Sequence, residues 1–132
     1  PELYFTDQTP NLVDAIDLQI DTNGNLFVLH SSGRVSKYFL GREDVFAFEG
    51  LPQPLIRPTS FYFNLSPFDR VFFIADPDGE RLYTTSPTGT FIRNYKDSNN
   101  VVFATLSGVT NTDQPAQVYL TAGNRLYTFS RP

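Results

Sequence analysis

Three carboxylates crowd one short stretch of the chain, Asp76-Pro77-Asp78-Gly79-Glu80. Oxygen donors at that density suit a hard cation, but the later ligands of an EF-hand loop are missing. A turn between two strands, with Asp76 paired to a nearby arginine, explains the same residues and is the preferred reading. Asp21-Thr22-Asn23-Gly24-Asn25 also gathers oxygen-bearing side chains, and its place in a hairpin accounts for it. His30 is the only histidine, so one chain cannot build a multi-histidine metal site, and any histidine-dependent triad would rest on this residue. Its neighbours Ser31 and Ser32 lack the strained Gly-x-Ser-x-Gly setting of an activated nucleophile. His30 therefore reads as a loop residue at a tip where a partner could be met.

Arginine recurs in a fixed context, as Arg34-Val35, Arg81-Leu82 and Arg125-Leu126. Repetition argues for architecture, through ion pairs or backbone contacts, because a site made once needs no threefold copy. The aromatic runs Phe61-Tyr62-Phe63 and Phe72-Phe73 read as packing rather than as stacking platforms for bases or sugars. Asn64-Leu65-Ser66 matches a glycosylation sequon but is followed by Pro67, and it is set aside. The residues proposed to meet a protein or small-molecule ligand are His30, Arg57, Asp76 and Asp78, carried on loops 30–33, 51–58 and 76–80. No catalytic residue, metal ligand or cofactor is assigned.

Positioning these residues falls to strands. The 132 residues allow one domain, and thirteen Phe and seven Tyr, with no Trp, Met or Cys, must form its core with Leu, Val and Ile. Ten Pro and eight Gly leave no long helical pattern. The absence of cysteine excludes a disulfide framework and thiolate metal sites, while leaving the compartment open. A net charge of -4 disfavours nucleic acid, whose phosphates need a dense set of cations. Pro1-Glu2-Leu3-Tyr4 has neither the basic start nor the apolar run of a membrane-inserting segment, so a soluble chain is expected.

In chain order, the pattern predicts a lone strand over 2–6, a connector over 7–11, and a strand over 15–21 whose Ile16, Leu18 and Ile20 alternate with Asp17, Gln19 and Asp21. Asn23-Gly24 predicts a type I′ hairpin into a strand over 26–30, followed by strands over 34–40 and 45–48. The proline-rich stretch 51–58 is a linker, since each proline would remove a donor from a ladder. Strands over 59–65, 71–75, 81–85 and 90–95 form a second unit, with a turn at 67–69, and 96–100 is a polar linker. A third unit runs from 101–109 through 117–121 and 124–129 and stops one strand short.

The units repeat. Leu26, Val71 and Val118 stand 45 and 47 residues apart, and the three arginines 47 and 44 apart, spacings typical of four-stranded propeller blades. Ile20-Asp21-Thr22-Asn23-Gly24-Asn25-Leu26-Phe27-Val28 and Val71-Phe72-Phe73-Ile74-Ala75-Asp76, with Arg81-Leu82 and Gly89-Thr90-Phe91 after the second, resemble NHL-type β-propeller repeats. Two departures stand out: the first unit has His30 where the second has Asp76, and the third has Ala122 and no Asp-x-x-Gly turn.

What the resemblance implies is an all-β chain, a propeller-like array of about three four-stranded antiparallel blades (13–50, 58–96, 100–132), with binding as its usual role and no reaction. Three blades cannot close a ring, so the expectation is either a homodimer making a six-bladed ring or the remaining blades of a longer polypeptide. Strand 2–6 would complete the last blade or stand as the third strand of a truncated one. The alternative function is a metal-dependent, lactonase-like hydrolase, which would require residues such as Asp17, Asn64 and Asn111 to converge on the ring axis.

Overall fold

The computed structural model describes residues 1–6, 8–67, 69–99 and 101–131. The expected connector over 7–11, turn over 67–69, linker over 96–100 and end of the third unit touch Asp7, Phe68, Asn100 and Pro132, which lie outside the described residues.

Alternation of apolar and polar side chains produces three antiparallel meanders. Sheet 1 has β1 (Ala15–Ile20), β2 (Leu26–His30), β3 (Val35–Phe39) and β4 (Arg42–Asp44), each paired with its chain neighbour. Sheet 2 repeats the order with β5 (Ser60–Phe63), β6 (Phe72–Asp76), β7 (Arg81–Thr85) and β8 (Phe91–Tyr95). Sheet 3 has three strands, β9 (Leu106–Asp113), β10 (Ala116–Ala122) and β11 (Arg125–Ser130), after a 3-10 turn at Phe103–Thr105. The second strands end at His30, Asp76 and Ala122, each 46 residues from the next, so the counterpart of Leu26 is Phe72 rather than Val71. Among the described residues no helix is long and apolar enough to cross a membrane.

Sheet 2 lies between the other two. Phe61, Phe63, Phe72, Ile74 and Tyr83 on one of its faces pack against Phe27, Leu29 and Val35 of sheet 1. Val71, Phe73, Ala75 and Leu82 on the other meet Phe103, Leu106, Val118, Leu120 and Ala122. All five residues of β6 are buried, which is why Phe72-Phe73-Ile74-Ala75 runs apolar without alternation before the strand closes on the buried Asp76. Each large side chain buried here contributes roughly 1.5–3 kcal/mol through removal from water. First strands adjoin across the joints: Asp17 on β1 accepts from Phe61 N–H at 3.0 Å, and the Thr59 hydroxyl, just before β5, donates to Leu106 O at 2.9 Å.

Three local expectations change. The turn between β1 and β2 is not type I′, which needs positive φ at both central residues; only Gly24 has it, at +84°, and the Asp21 carboxylate closes the loop by accepting from Asn23 N–H and Asn25 N–H. Residues 45–48 are not the fourth strand of sheet 1, which ends at Asp44. They cross to sheet 2, where Phe46 and Phe48 join the first core cluster and Glu49 bridges to Thr90. Residues 2–6 form no strand and complete no sheet: Phe5 packs edge-on to Tyr38 at 4.9 Å, and burial of those rings holds the segment on sheet 1.

Candidate functional site

The three loops singled out in the sequence meet at one end of the sheets. The turn between β2 and β3 approaches the 51–58 linker so closely that a Cβ on Gly33, which sits at φ +90°, would lie 2.9 Å from Leu55 Cβ. The turn between β6 and β7 reaches the same linker through Asp76, which is fully buried and accepts from Ile56 N–H at 2.9 Å and Arg57 N–H at 2.8 Å. Gly79 follows from this contact, because a Cβ there would stand 2.6 Å from Asp76 Oδ2. Arg57 then folds over the turn and forms a two-pronged pair with Asp78, Nε to Oδ2 at 2.8 Å and Nη2 to Oδ1 at 2.7 Å. That pair lowers the Asp78 pKa and raises that of Arg57, in both cases through its hydrogen bonds first and its Coulomb attraction second.

His30 differs from its expected setting. It is the last residue of β2, with no exposed surface, so it is unavailable to a partner in this conformation. Its Nδ1 lies 2.7 Å from Asp14 Oδ1 and its Nε2 2.8 Å from Ser36 Oγ, while Arg34 Nη1 donates to Ser36 Oγ at 2.7 Å. One proton assignment satisfies the short contacts: Arg34 Nη1 donates to Ser36, Ser36 to His30 Nε2, and His30 Nδ1–H to Asp14, which leaves the 3.5 Å approach of Arg34 Nη2 to His30 Nδ1 without a hydrogen bond. The hydrogen bond from His30 is the main reason the Asp14 pKa lies below its usual value.

Acid, imidazole and hydroxyl in this order have the outline of a hydrolytic triad. Ser36, however, is buried within β3 opposite Val28, and its oxygen already accepts from Arg34. The arrangement locks a sheet corner. Sequence reading missed Asp14 and Ser36. The available signal was strand alternation, which puts Ser36 on the face of sheet 1 shared by Val28 and His30.

The repeated arginines occupy matching positions just after the β2–β3, β6–β7 and β10–β11 turns. His30 N–H donates to Arg34 O, and Arg81 and Arg125 stand opposite Asp76 and Ala122 in their strand ladders. Asn64 and Asn111 both turn toward Asp113 Oδ1, at 2.9 and 3.5 Å, whereas Asp17 serves the amides of Leu18 and Phe61. These contacts do not gather the three at one centre, and among the described residues no group of three or more His, Asp or Glu is placed to hold a metal ion.

Between the β2–β3 turn and the linker lies a cleft of about 250 Å³, lined by Phe46, Phe48, Leu51, Pro54 and Leu55 with Arg34 at its side. A second hollow of about 450 Å³ lies across Phe46 and adds Ser36, Glu43 and Asp44 to the lining. Arg34, Val35 and Phe46 belong to both. The site therefore has an apolar floor, one guanidinium and a carboxylate rim. No protein-family model and no curated protein matches the chain.

Proposed function

We propose that the chain is a non-catalytic binding module, an NHL-like, propeller-type array of blades that holds a protein segment or small ligand at its loop end. The observation that carries this reading is the convergence of 30–33, 51–58 and 76–80 beside a cleft that combines aromatic walls with a single guanidinium. Pockets of that make-up bind through buried apolar area and take their orientation from a few polar groups. Arg34 is the orienting group, suited to a carboxylate or a backbone carbonyl on the ligand. Arg57 and Asp78, exposed and paired to each other, stand on the neighbouring rim. Asp76 and His30 support the site from below rather than touch its contents.

The test is selection of binders from a random-peptide display library, with the contact surface mapped by amide chemical shifts. Perturbations centred on 31–35 and 46–55, and weakened at least several-fold by Arg34→Gln or Phe48→Ala, are expected. Binders that map elsewhere, or that ignore both substitutions, would overturn the reading.

A further inference from the structure

The two joints between sheets are packed differently away from the first strands. Aligned on their second strands, Tyr83 and Thr85 of β7 correspond to Tyr127 and Phe129 of β11, because the first pair stands opposite Ile74 and Phe72 and the second opposite Leu120 and Val118. Tyr83 and Thr85 are fully buried. Tyr127 and Phe129 are covered in part.

The connectors account for the difference. Segment 45–59, which leads from sheet 1 to sheet 2, lays Phe46, Phe48, Leu51 and Leu55 against the cluster that holds Tyr83. The Phe46 ring stands edge-on to Phe27 and Phe72, at 5.3 and 5.9 Å, so aromatic side chains fill that joint. Segment 96–105 leads from sheet 2 to sheet 3 and is shorter; among the described residues it brings Val102 and Phe103 to the matching cluster. What the longer connector fills is here a hollow of about 350 Å³. Tyr95, Phe103, Tyr127 and Phe129 line it together with Leu120, and the Tyr95 and Phe129 rings lie 5.0 Å apart.

Two charged residues border this hollow, Lys96 and Asp97. The Asp97 carboxylate is taken up by the connector itself, accepting from the N–H groups of Asn99, Val101 and Val102. Lys96 is exposed, and among the described residues its ammonium makes no hydrogen bond or ion pair. The free charge at the hollow is therefore positive.

We infer that the hollow between sheets 2 and 3 is a binding site for a small aromatic carboxylate, its ring or fused ring pair among Tyr95, Tyr127 and Phe129 and its carboxylate on Lys96. The ring takes the part that Phe46 and Phe48 play in the other joint, with edge and face contacts to the aromatic lining. A volume of about 150 Å³ already holds a benzene, so the hollow has room for two fused rings. It shares no lining residue with the cleft at the loop end, and the inference is independent of the ligand proposed there.

The test is titration of the full chain with naphthalene-2-carboxylate, followed by amide chemical shifts. Expected is a saturable shift centred on 95–97 and 127–129, with a Kd of about 1 mM or tighter for a ligand of this size. Lys96→Gln should weaken that binding about two- to fivefold, the range of an exposed ion pair, and leave the uncharged 2-naphthalenemethanol unaffected. Val102→Trp, which fills the hollow from the connector, should abolish the binding of both. Arg34→Gln should change neither, so this site and the loop-end cleft can fail separately. Absence of a saturable shift, a shift centred on 31–35 and 46–55, or undiminished binding to a folded Val102→Trp would overturn the inference. So would a Lys96→Gln variant that binds the carboxylate as the wild type does, or loses both probes alike. Lys96 is exposed, so that arm decides the matter even where Val102→Trp does not fold.

Discussion

The corner of sheet 1 and the corner of sheet 2 solve one problem with different atoms. In each, the segment leading into the first strand must be tied to the end of the second. At sheet 1 the backbone makes the tie, Ser31 N–H donating to Asp14 O at 2.9 Å, and the His30 side chain adds a second bond to the same residue. The counterpart of Ser31, 46 residues on, is Pro77, which has no N–H to donate. Asp76 replaces the missing bond by reversing its direction, its carboxylate accepting from Ile56 and Arg57. Sheet 3 keeps only the backbone form, Gly123 N–H to Thr105 O at 3.2 Å, with Ala122 where the others have a polar side chain. The departures from the repeat at His30, Asp76 and Ala122 thus vary with how much of the tie the backbone supplies.

This comparison ranks the substitutions. Asp76→Ala removes the acceptor of two amides and leaves the Thr59 N–H bond to Ala75 O, at 3.0 Å, as the backbone tie of this corner; it should cost roughly 2–4 kcal/mol in urea unfolding. Amide exchange at Ile56 and Arg57 should accelerate at the same time. A loss below that of any substitution at His30 would break the comparison. His30→Ala leaves the Ser31–Asp14 bond in place, so roughly 2 kcal/mol is expected. A double-mutant cycle with Asp14→Asn should show strong coupling, and additive losses would mean that the two residues act independently.

Gly79→Ala sharpens the account of sheet 2. Its new Cβ meets Asp76 Oδ2 at 2.6 Å and Gln53 Nε2 at 3.2 Å, and relieving that contact should cost about 1 kcal/mol. The penalty should vanish when Asp76→Ala is already present. If it persists, the glycine serves the turn itself and not the carboxylate.

Much of this arrangement could be read from residue types, because the strands obey period-two alternation and the turns carry Gly, Pro and Asp. The strand over 26–30 and that over 81–85 have the predicted bounds, and the third sheet does stop at three strands. The two misplaced strands have one cause. Residues 45–48 and 2–6 are rich in aromatic and aliphatic side chains, which favour strands locally, yet here those side chains fill space across sheets while the backbone finds no ladder. Asp14 was invisible as a partner of His30 because a bond spanning 16 residues leaves no local pattern, whereas Ser36, six residues on, could have been placed on the same face from strand alternation. The meeting of loops 51–58 and 76–80 was likewise hidden, although both loops were marked by their composition.

The smallest effect belongs to the Arg57–Asp78 pair, which decorates the sheet 2 corner without holding it. Both side chains are exposed, at 58% and 42%, so water and salt screen the attraction. Arg57→Gln should therefore lower the melting temperature far less than Asp76→Ala. The sign of its pH dependence follows from Asp78, whose folded pKa is depressed below the 3.8 of a free aspartate. A depressed carboxylate contributes stability that is complete above its unfolded pKa and is lost as pH falls through its folded one. The gap between wild type and Arg57→Gln should thus be present at pH 6 and close as the solution is acidified below 3.8. A gap that persists in acid would assign Arg57 to packing on the turn, and the corner of sheet 2 would then depend on more than the Asp76 carboxylate.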